Sequence, residues 1–264
     1  MINWGIFGTG MIARALAVSM KDSKGSILRA IASRSIEKAD KFADKYNCLP
    51  VEGYEGLLKD DEIDAIYVAT PHDSHFDLAL AALEAKKSVL CEKPMTLNST
   101  EAMVLIDAAR NNGVLFMEAF MYRTHPQTDK VRELVEKEFK TSPLTIEASF
   151  GFLADVPKEH RLVNPDLGGG SIMDIGCYPM SMSRMVVGIQ EGKLFSNPIS
   201  IKAKGELSER GIDLNASAEL IFENGSKALV NCAINKNLNN TVLISNDEKS
   251  LLIEEPWQCG EQVG

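Results

Sequence analysis

The stretch Asn3-Trp4-Gly5-Ile6-Phe7-Gly8-Thr9-Gly10-Met11-Ile12-Ala13 decides how this chain is read. An apolar run ends at Phe7, a GxGxxA turn spans Gly8 to Ala13, and a helical pattern opens at once. In such a turn the first glycine makes the tight bend. The second lets the backbone approach a pyrophosphate, and the small third residue lets helix and strand pack closely. The helix start beyond it presents unpaired N–H groups and a partial positive charge, so Gly8, Thr9, Gly10, Met11 and Ile12 are the expected phosphate-binding residues. Glycines often serve turns alone; what favours the nucleotide reading is the place of these two at the first strand–helix junction of a repeating series.

That series fills the first half of the chain. Candidate strands are Asn3–Phe7, Ile27–Ala32, Ala65–Ala69, Ser88–Cys91 and Val114–Glu118, apolar almost throughout, as parallel strands covered on both faces must be. Helical patterns separate them. Ala39, Phe42, Ala43 and Tyr46 recur at i, i+3, i+4 and i+7 behind Ser35, a candidate N-cap. Asn98 and Glu101 have capping-box spacing, and that helix should stop near Asn111-Asn112-Gly113. After residue 122 the rhythm changes. A helix over Gln127–Phe139 and another starting at Gly169-Gly170-Ser171 precede a run of strands, with Asn224-Gly225 placed as a hairpin turn. The expected fold class is α/β: an N-terminal Rossmann doubly wound parallel sheet over residues 1–122, then an α+β domain with a largely antiparallel sheet over residues 123–264.

The end of the second strand bears on which dinucleotide is held. An acid about twenty residues after the glycine turn would read a ribose 2′-hydroxyl. The chain has Ser33-Arg34 there, Lys38 one turn on, and no acid before Glu37. A hydroxyl with a guanidinium suits a 2′-phosphate, so NADP is expected over NAD, with NAD as the alternative. The competing reading makes Arg34 a solvated surface charge.

Composition excludes several classes. The formal net charge of -9 argues against nucleic acid and anionic membrane surfaces as partners. Cys48, Cys91, Cys177, Cys232 and Cys259 form no CxxC pair and read as reduced thiols of a cytoplasmic protein. No stretch approaches the length of a membrane span, and the N-terminus shows no basic-then-apolar leader. The spacing of histidines, cysteines and acids makes no metal site.

Cys91-Glu92-Lys93-Pro94 closes a candidate parallel strand, and Ala69-Thr70-Pro71-His72 leads into the helix before it. Further on stand Met117-Glu-Ala-Phe-Met-Tyr-Arg-Thr-His-Pro126 and Leu167-Gly-Gly-Gly-Ser-Ile-Met-Asp-Ile-Gly-Cys-Tyr-Pro179. With the GxGxxA turn, these segments resemble, in order and over nearly the whole chain, the Gfo/Idh/MocA oxidoreductases. The tyrosine in the DxGxYP form is similar to the branch of dihydrodiol, glucose–fructose and xylose enzymes. The resemblance implies reversible hydride transfer between NAD(P) and a hydroxyl-bearing carbon of a sugar, polyol or cyclic diol. It implies cofactor contacts from Thr70, Pro71, His72, Glu92 and Lys93, and a homodimer. Family members of this branch run on past Gly264, so a final helical stretch is expected to be missing here.

The residues support that chemistry separately. Alcohol oxidation needs a hydride acceptor and a group that takes the hydroxyl proton. Lys93 stands at the carboxyl end of a strand, where open α/β sheets bind ligands, and Pro94 keeps it out of helical geometry. Asp174 and Tyr178 are i, i+4 on the helix after the triple glycine and share a face. A tyrosine, with reference pKa about 10, becomes a base near neutrality if an ammonium stabilises its phenolate, and Lys93 is the candidate. Lys93, Tyr178 and Asp174 are therefore the expected catalytic residues. Tyr178 also reads as an interior tyrosine with a polar partner, Asp174 as a helix-start acid, and His72 as a packing residue. His75 reads as part of the following helix, His125 as structural, and His160 and Arg161 as surface loop residues, with substrate contact as their alternative. Two other functions remain open: a nicotinamide-dependent redox-neutral glycosidase, disfavoured because those enzymes carry histidine where this chain has Tyr178, and a non-catalytic NADP-binding sensor.

Overall fold

A computed structural model describes residues 1–260. The chain divides into two compact units, Met1–Ala119 and the residues from Phe120 onward.

The first unit is a parallel six-stranded sheet: β1 (Ile2–Phe7), β2 (Ser26–Ser33), β3 (Leu49–Glu52), β4 (Ala65–Val68), β5 (Ser88–Glu92) and β6 (Phe116–Ala119), in the spatial order β3-β2-β1-β4-β5-β6. This is the doubly wound order, whose direction reverses between β1 and β4. Alternate residues feed two cores. Ile6, Ile31 and Tyr67 join Ala13, Ala39 and Phe42 on one face, while Phe7, Ile66, Val68 and Val89 join Ala79, Leu83 and Leu105 on the other. Burial of both faces is why these strands read as apolar without alternation. The helices are α1 (Met11–Met20), α2 (Ile36–Tyr46), α3 (Glu55–Lys59), α4 (His75–Glu84) and α5 (Ser99–Asn112). Their signals act locally as expected. Ser35 Oγ accepts from Lys38 N at 3.4 Å, Asn98 Oδ1 accepts from Glu101 N at 3.0 Å, and Gly113 ends α5 at φ 66°. The edge strand β3 went unanticipated; it contains Pro50 and is mostly exposed, so only its pairing with β2 marks it as a strand.

The second unit carries α6 (Pro126–Glu138), β7 (Thr145–Gly151), α7 (Cys177–Gln190), β8 (Ser200–Leu207), β9 (Asp213–Ile221), β10 (Lys227–Ala233), β11 (Val242–Ser245) and β12 (Ser250–Ile253). Its sheet runs β12-β11-β7-β10-β9-β8; every neighbour pair is antiparallel except β7 with β10. Asn224-Gly225 does turn β9 into β10, with Gly225 at φ 84° and Asn224 Oδ1 accepting from Ser226 N. Val131 and Val135 of α6 and Met182, Met185, Val186 and Ile189 of α7 pack on Ile146, Leu220, Ala228 and Ile244 of the sheet.

The segment leading into α7 departs from the expected α-helix. Ile172–Gly176 forms a π-helical turn, and Cys177 N donates back to Ile172 O. Pro179 explains the widening: it offers no N–H to Ile175 O and its ring crowds that carbonyl in a regular helix. Gly176 permits it, because a Cβ there would lie 2.8 Å from Cys232 Sγ on β10.

Candidate functional site

In the first unit, the glycine turn fits a dinucleotide pyrophosphate. Gly8 takes φ +103°, and a Cβ on it would stand 2.7 Å from the Ala69 carbonyl oxygen just past β4, so this bend from β1 into α1 admits only glycine. At Gly10 the space a side chain would fill is open, with Ala69 O 4.0 Å away. No side chain caps α1, and Gly10, Met11 and Ile12 are exposed at its start. The first-turn N–H groups thus face solvent at the crevice between the two strands, the arrangement a phosphate needs.

At the end of β2, Ser33 is buried and its hydroxyl accepts from Ser35 N at 3.3 Å. Arg34 and Lys38 are exposed. The nearest acid, Glu37, accepts from Ser35 Oγ at 2.6 Å, and that bond holds its carboxyl below the usual range. The turn therefore offers hydroxyl, guanidinium and ammonium groups, with its one carboxylate engaged by the helix cap.

Beyond β4, Thr70 Oγ1 accepts from Ser74 Oγ at 2.8 Å as the chain enters the single 3-10 turn His72–Ser74. Pro71 is exposed, His72 is buried, and the His72 and His75 rings meet edge to face at 5.7 Å. Beyond β5, Glu92 accepts from the Tyr67 hydroxyl of the neighbouring strand, and burial pushes its carboxyl above the ordinary value despite that bond and nearby Lys93. Lys93 is half-buried and precedes a cis peptide to Pro94. Glu118 of β6 accepts from Met95 N at 2.9 Å and pins the far side of this turn. His75, fully buried at the first position of α4, was read from the sequence as a helix residue. Its Nδ1 lies 2.8 Å from Pro94 O and its Nε2 2.8 Å from Thr70 O, so the ring donates to one carbonyl when neutral and to both only as an imidazolium. Burial holds its pKa below the ordinary imidazole value while the two carbonyls pull it up.

In the second unit, the π turn carries Asp174 and the first turn of α7 carries Tyr178, both buried. Arg161, assigned to the surface by its loop position, pairs with Asp174 at 2.8 Å. Asp213, at the start of β9, accepts from Ser171 Oγ and Ile172 N, both at 2.7 Å, and so fixes the beginning of the same turn. The Tyr178 ring lies among Phe120 and Phe150, each 5.3 Å away, and Trp257 at 5.8 Å. Trp257 N–H donates to Ser149 O of β7, which locks that wall of the cluster. Arg161 meets Asp174, Trp257 meets Tyr178 and Asp213 holds the start of the same turn; no local pattern announces these meetings, because the partners are not neighbours along the chain. Among the described residues no group of histidine, cysteine and acid side chains could hold a metal ion, and no helix is long and apolar enough to cross a membrane.

A doubly wound sheet with an uncapped glycine turn at its switch point defines a Rossmann-type dinucleotide-binding protein. The comparisons agree. The oxidoreductase family with NAD-binding Rossmann fold matches residues 2–120, and the Gfo/Idh/MocA C-terminal domain matches residues 128–251. The chain is 33% identical to mouse trans-1,2-dihydrobenzene-1,2-diol dehydrogenase, covering 99% of this chain and 77% of that protein. It is 33% identical to D-xylose 1-dehydrogenase (NADP(+)) 2 of Haloferax volcanii, over 86% and 68%. Among solved structures it is similar to a variant of a 3-ketoreductase from Actinomadura kijaniata in complex with TDP-benzene and NADP, at 27% identity and TM-score 0.85, over 97% and 77% of the two chains. It is also similar to aldose-aldose oxidoreductase from Caulobacter crescentus complexed with glycerol, at 25% identity and TM-score 0.88, over 97% and 78%. The chain belongs to the Gfo/Idh/MocA oxidoreductase family. It is an NAD(P)-dependent oxidoreductase.

Proposed function

We propose that this protein is an NADP(H)-dependent dehydrogenase that moves a hydride to or from a hydroxyl-bearing carbon of a sugar, polyol or cyclic diol. The observation that carries the reading is Glu92-Lys93-Pro94 at the carboxyl end of β5, beside the strand pair whose crevice takes the dinucleotide, in a chain that also keeps Tyr178. The nicotinamide, when bound, supplies the hydride chemistry.

The chain's own residues do the rest. The N–H groups around Gly8, Thr9, Gly10, Met11 and Ile12 hold the pyrophosphate. Ser33, Arg34 and Lys38 hold a 2′-phosphate. Thr70, Pro71, His72, Glu92 and Lys93 receive the nicotinamide end. In oxidation the C–H bond gives up its electron pair as hydride while the hydroxyl proton passes to the Tyr178 oxygen; Lys93 supplies the positive charge that stabilises that oxygen as a phenolate. Asp174, paired with Arg161, is a positioning residue. Relatives support the substrate class: their names specify a cyclic diol, D-xylose and aldoses, substrates that carry neighbouring oxygens. The solved structures of the Actinomadura ketoreductase include a lysine variant and a tyrosine variant whose replaced positions stand about as far apart in its sequence as Lys93 and Tyr178 do here.

The same reading takes the protein as a cytoplasmic homodimer, in keeping with five free thiols. The outer sheet face, where Leu252, Leu243 and Leu229 fall in one row of the strand register, is the expected contact. The experiment is a screen of D-xylose, D-glucose and trans-cyclohexanediol with NADP, followed by NADPH absorbance. Release of phenol from a nitrophenyl glycoside without net reduction would replace this function with glycoside cleavage.

A further inference from the structure

The ladder between β4 and β5 ends at the Val68–Cys91 pair. Beyond it the two strands continue into turns that carry Thr70-Pro71-His72 and Lys93-Pro94, and no backbone ladder joins them. His75 does. It is 0% exposed, and its two ring nitrogens reach one carbonyl of each turn, Thr70 O and Pro94 O, at 2.8 Å. An apolar side chain would fill the first position of α4 as well and would leave the buried Pro94 carbonyl and the partly buried Thr70 carbonyl without this donor. A neutral imidazole satisfies one carbonyl at a time and an imidazolium both. The two acceptors belong to the segments that the proposed function assigns to the cofactor and to proton transfer.

We infer that His75 is a positioning residue: it ties the Thr70 turn to the Lys93-Pro94 turn and so holds the lysine in place against the cofactor-binding backbone. This rests on the assignment of Lys93 to catalysis. The two bonds are separable by substitution. The asparagine amide places its NH₂ where Nδ1 stands, and the glutamine amide places its NH₂ where Nε2 stands. His75→Asn therefore keeps the tie to Pro94 and releases Thr70. His75→Gln does the reverse.

The expected result is a split. His75→Asn should weaken NADPH binding, read by fluorescence, by about tenfold and leave kcat nearly unchanged, since one buried hydrogen bond is lost on the cofactor side. His75→Gln should keep NADPH affinity and lower kcat on D-xylose or trans-cyclohexanediol by about tenfold. In the cofactor-free protein, hydrogen–deuterium exchange should rise over residues 69–74 in the first variant and over residues 92–97 in the second. Equal losses in both variants that follow the thermal midpoint, or unchanged exchange in both segments, would overturn the inference. Lys93→Met, measured alongside, separates the two ideas. If it retains turnover, the catalytic assignment fails; if it loses turnover while His75→Gln keeps full kcat and native exchange, the His75 inference fails alone.

Discussion

Arg161 Nη1 lies 2.8 Å from Asp174 Oδ1, joining a side chain that is 41% exposed to one that is 6% exposed. The buried partner sits in the π turn just before Tyr178, so the pair anchors the loop Arg161–Leu167 to the start of the helix that carries the tyrosine. Arg161→Met should cost about 1–2 kcal/mol by urea denaturation, below the 3–5 of a fully buried pair because water reaches the guanidinium. Asp174→Asn should cost a similar amount. The double variant should lose clearly less than the sum. Strict additivity would mean that the two residues do not act on each other.

The proposed preference for NADP rests on the end of β2. With Ser33 and Arg34 where a ribose-reading acid would stand, NADP should bind at least tenfold tighter than NAD, about 1.4 kcal/mol. Arg34→Ala should remove most of that preference while NAD affinity stays put, because the contact proposed for the exposed guanidinium is with the 2′-phosphate that NAD lacks. Equal affinities in the unmutated protein, by fluorescence titration, would contradict the reading.

Tyr178→Phe keeps the ring among Phe120, Phe150 and Trp257, so NADP affinity should hardly move. Turnover should fall by a factor on the order of 10²–10⁴, the usual worth of a general acid–base group. Lys93→Met should lose a comparable factor, and the double variant little more, since groups acting as a unit are not additive. Alcohol oxidation should rise with pH through an apparent pKa below that of free tyrosine, a limb absent from Tyr178→Phe. An active Tyr178→Phe with an unchanged pH profile would assign the proton to another group.

Glu92 gives a pH signature of stability. Burial raises its pKa in the fold, so the folded chain holds a proton there that the unfolded chain releases. Its contribution is fully present below the unfolded carboxylate pKa and is lost as pH rises through the higher folded value. Glu92→Gln can still accept from Tyr67 and never ionises. Its thermal midpoint should match the unmutated protein in acid and exceed it increasingly towards neutral pH. A difference that does not change with pH would show that ionisation of Glu92 costs the fold nothing.

Much of this protein is written in adjacent residues. The glycine turn at Gly8 and Gly10, the Ser35 and Asn98 caps, the stop at Gly113 and the Asn224-Gly225 hairpin each depend on backbone geometry within a few positions, so composition and spacing reveal them. The parallel sheet was legible because strands buried on both faces must be apolar throughout. Other features have no local signature. β3 became a strand only by pairing with β2, since Pro50 and exposed neighbours give it no pattern of its own. The parallel pairing of β7 with β10 joins segments some eighty residues apart. The donors and acceptors at Arg161–Asp174, Asp213–Ser171 and His75–Pro94 are likewise distant in sequence. Sequence alone determined which chemical groups this protein carries and which elements bear them. Which groups meet was decided by tertiary structure, because a hydrogen bond or ion pair depends on separation in space and registers nothing of separation along the chain.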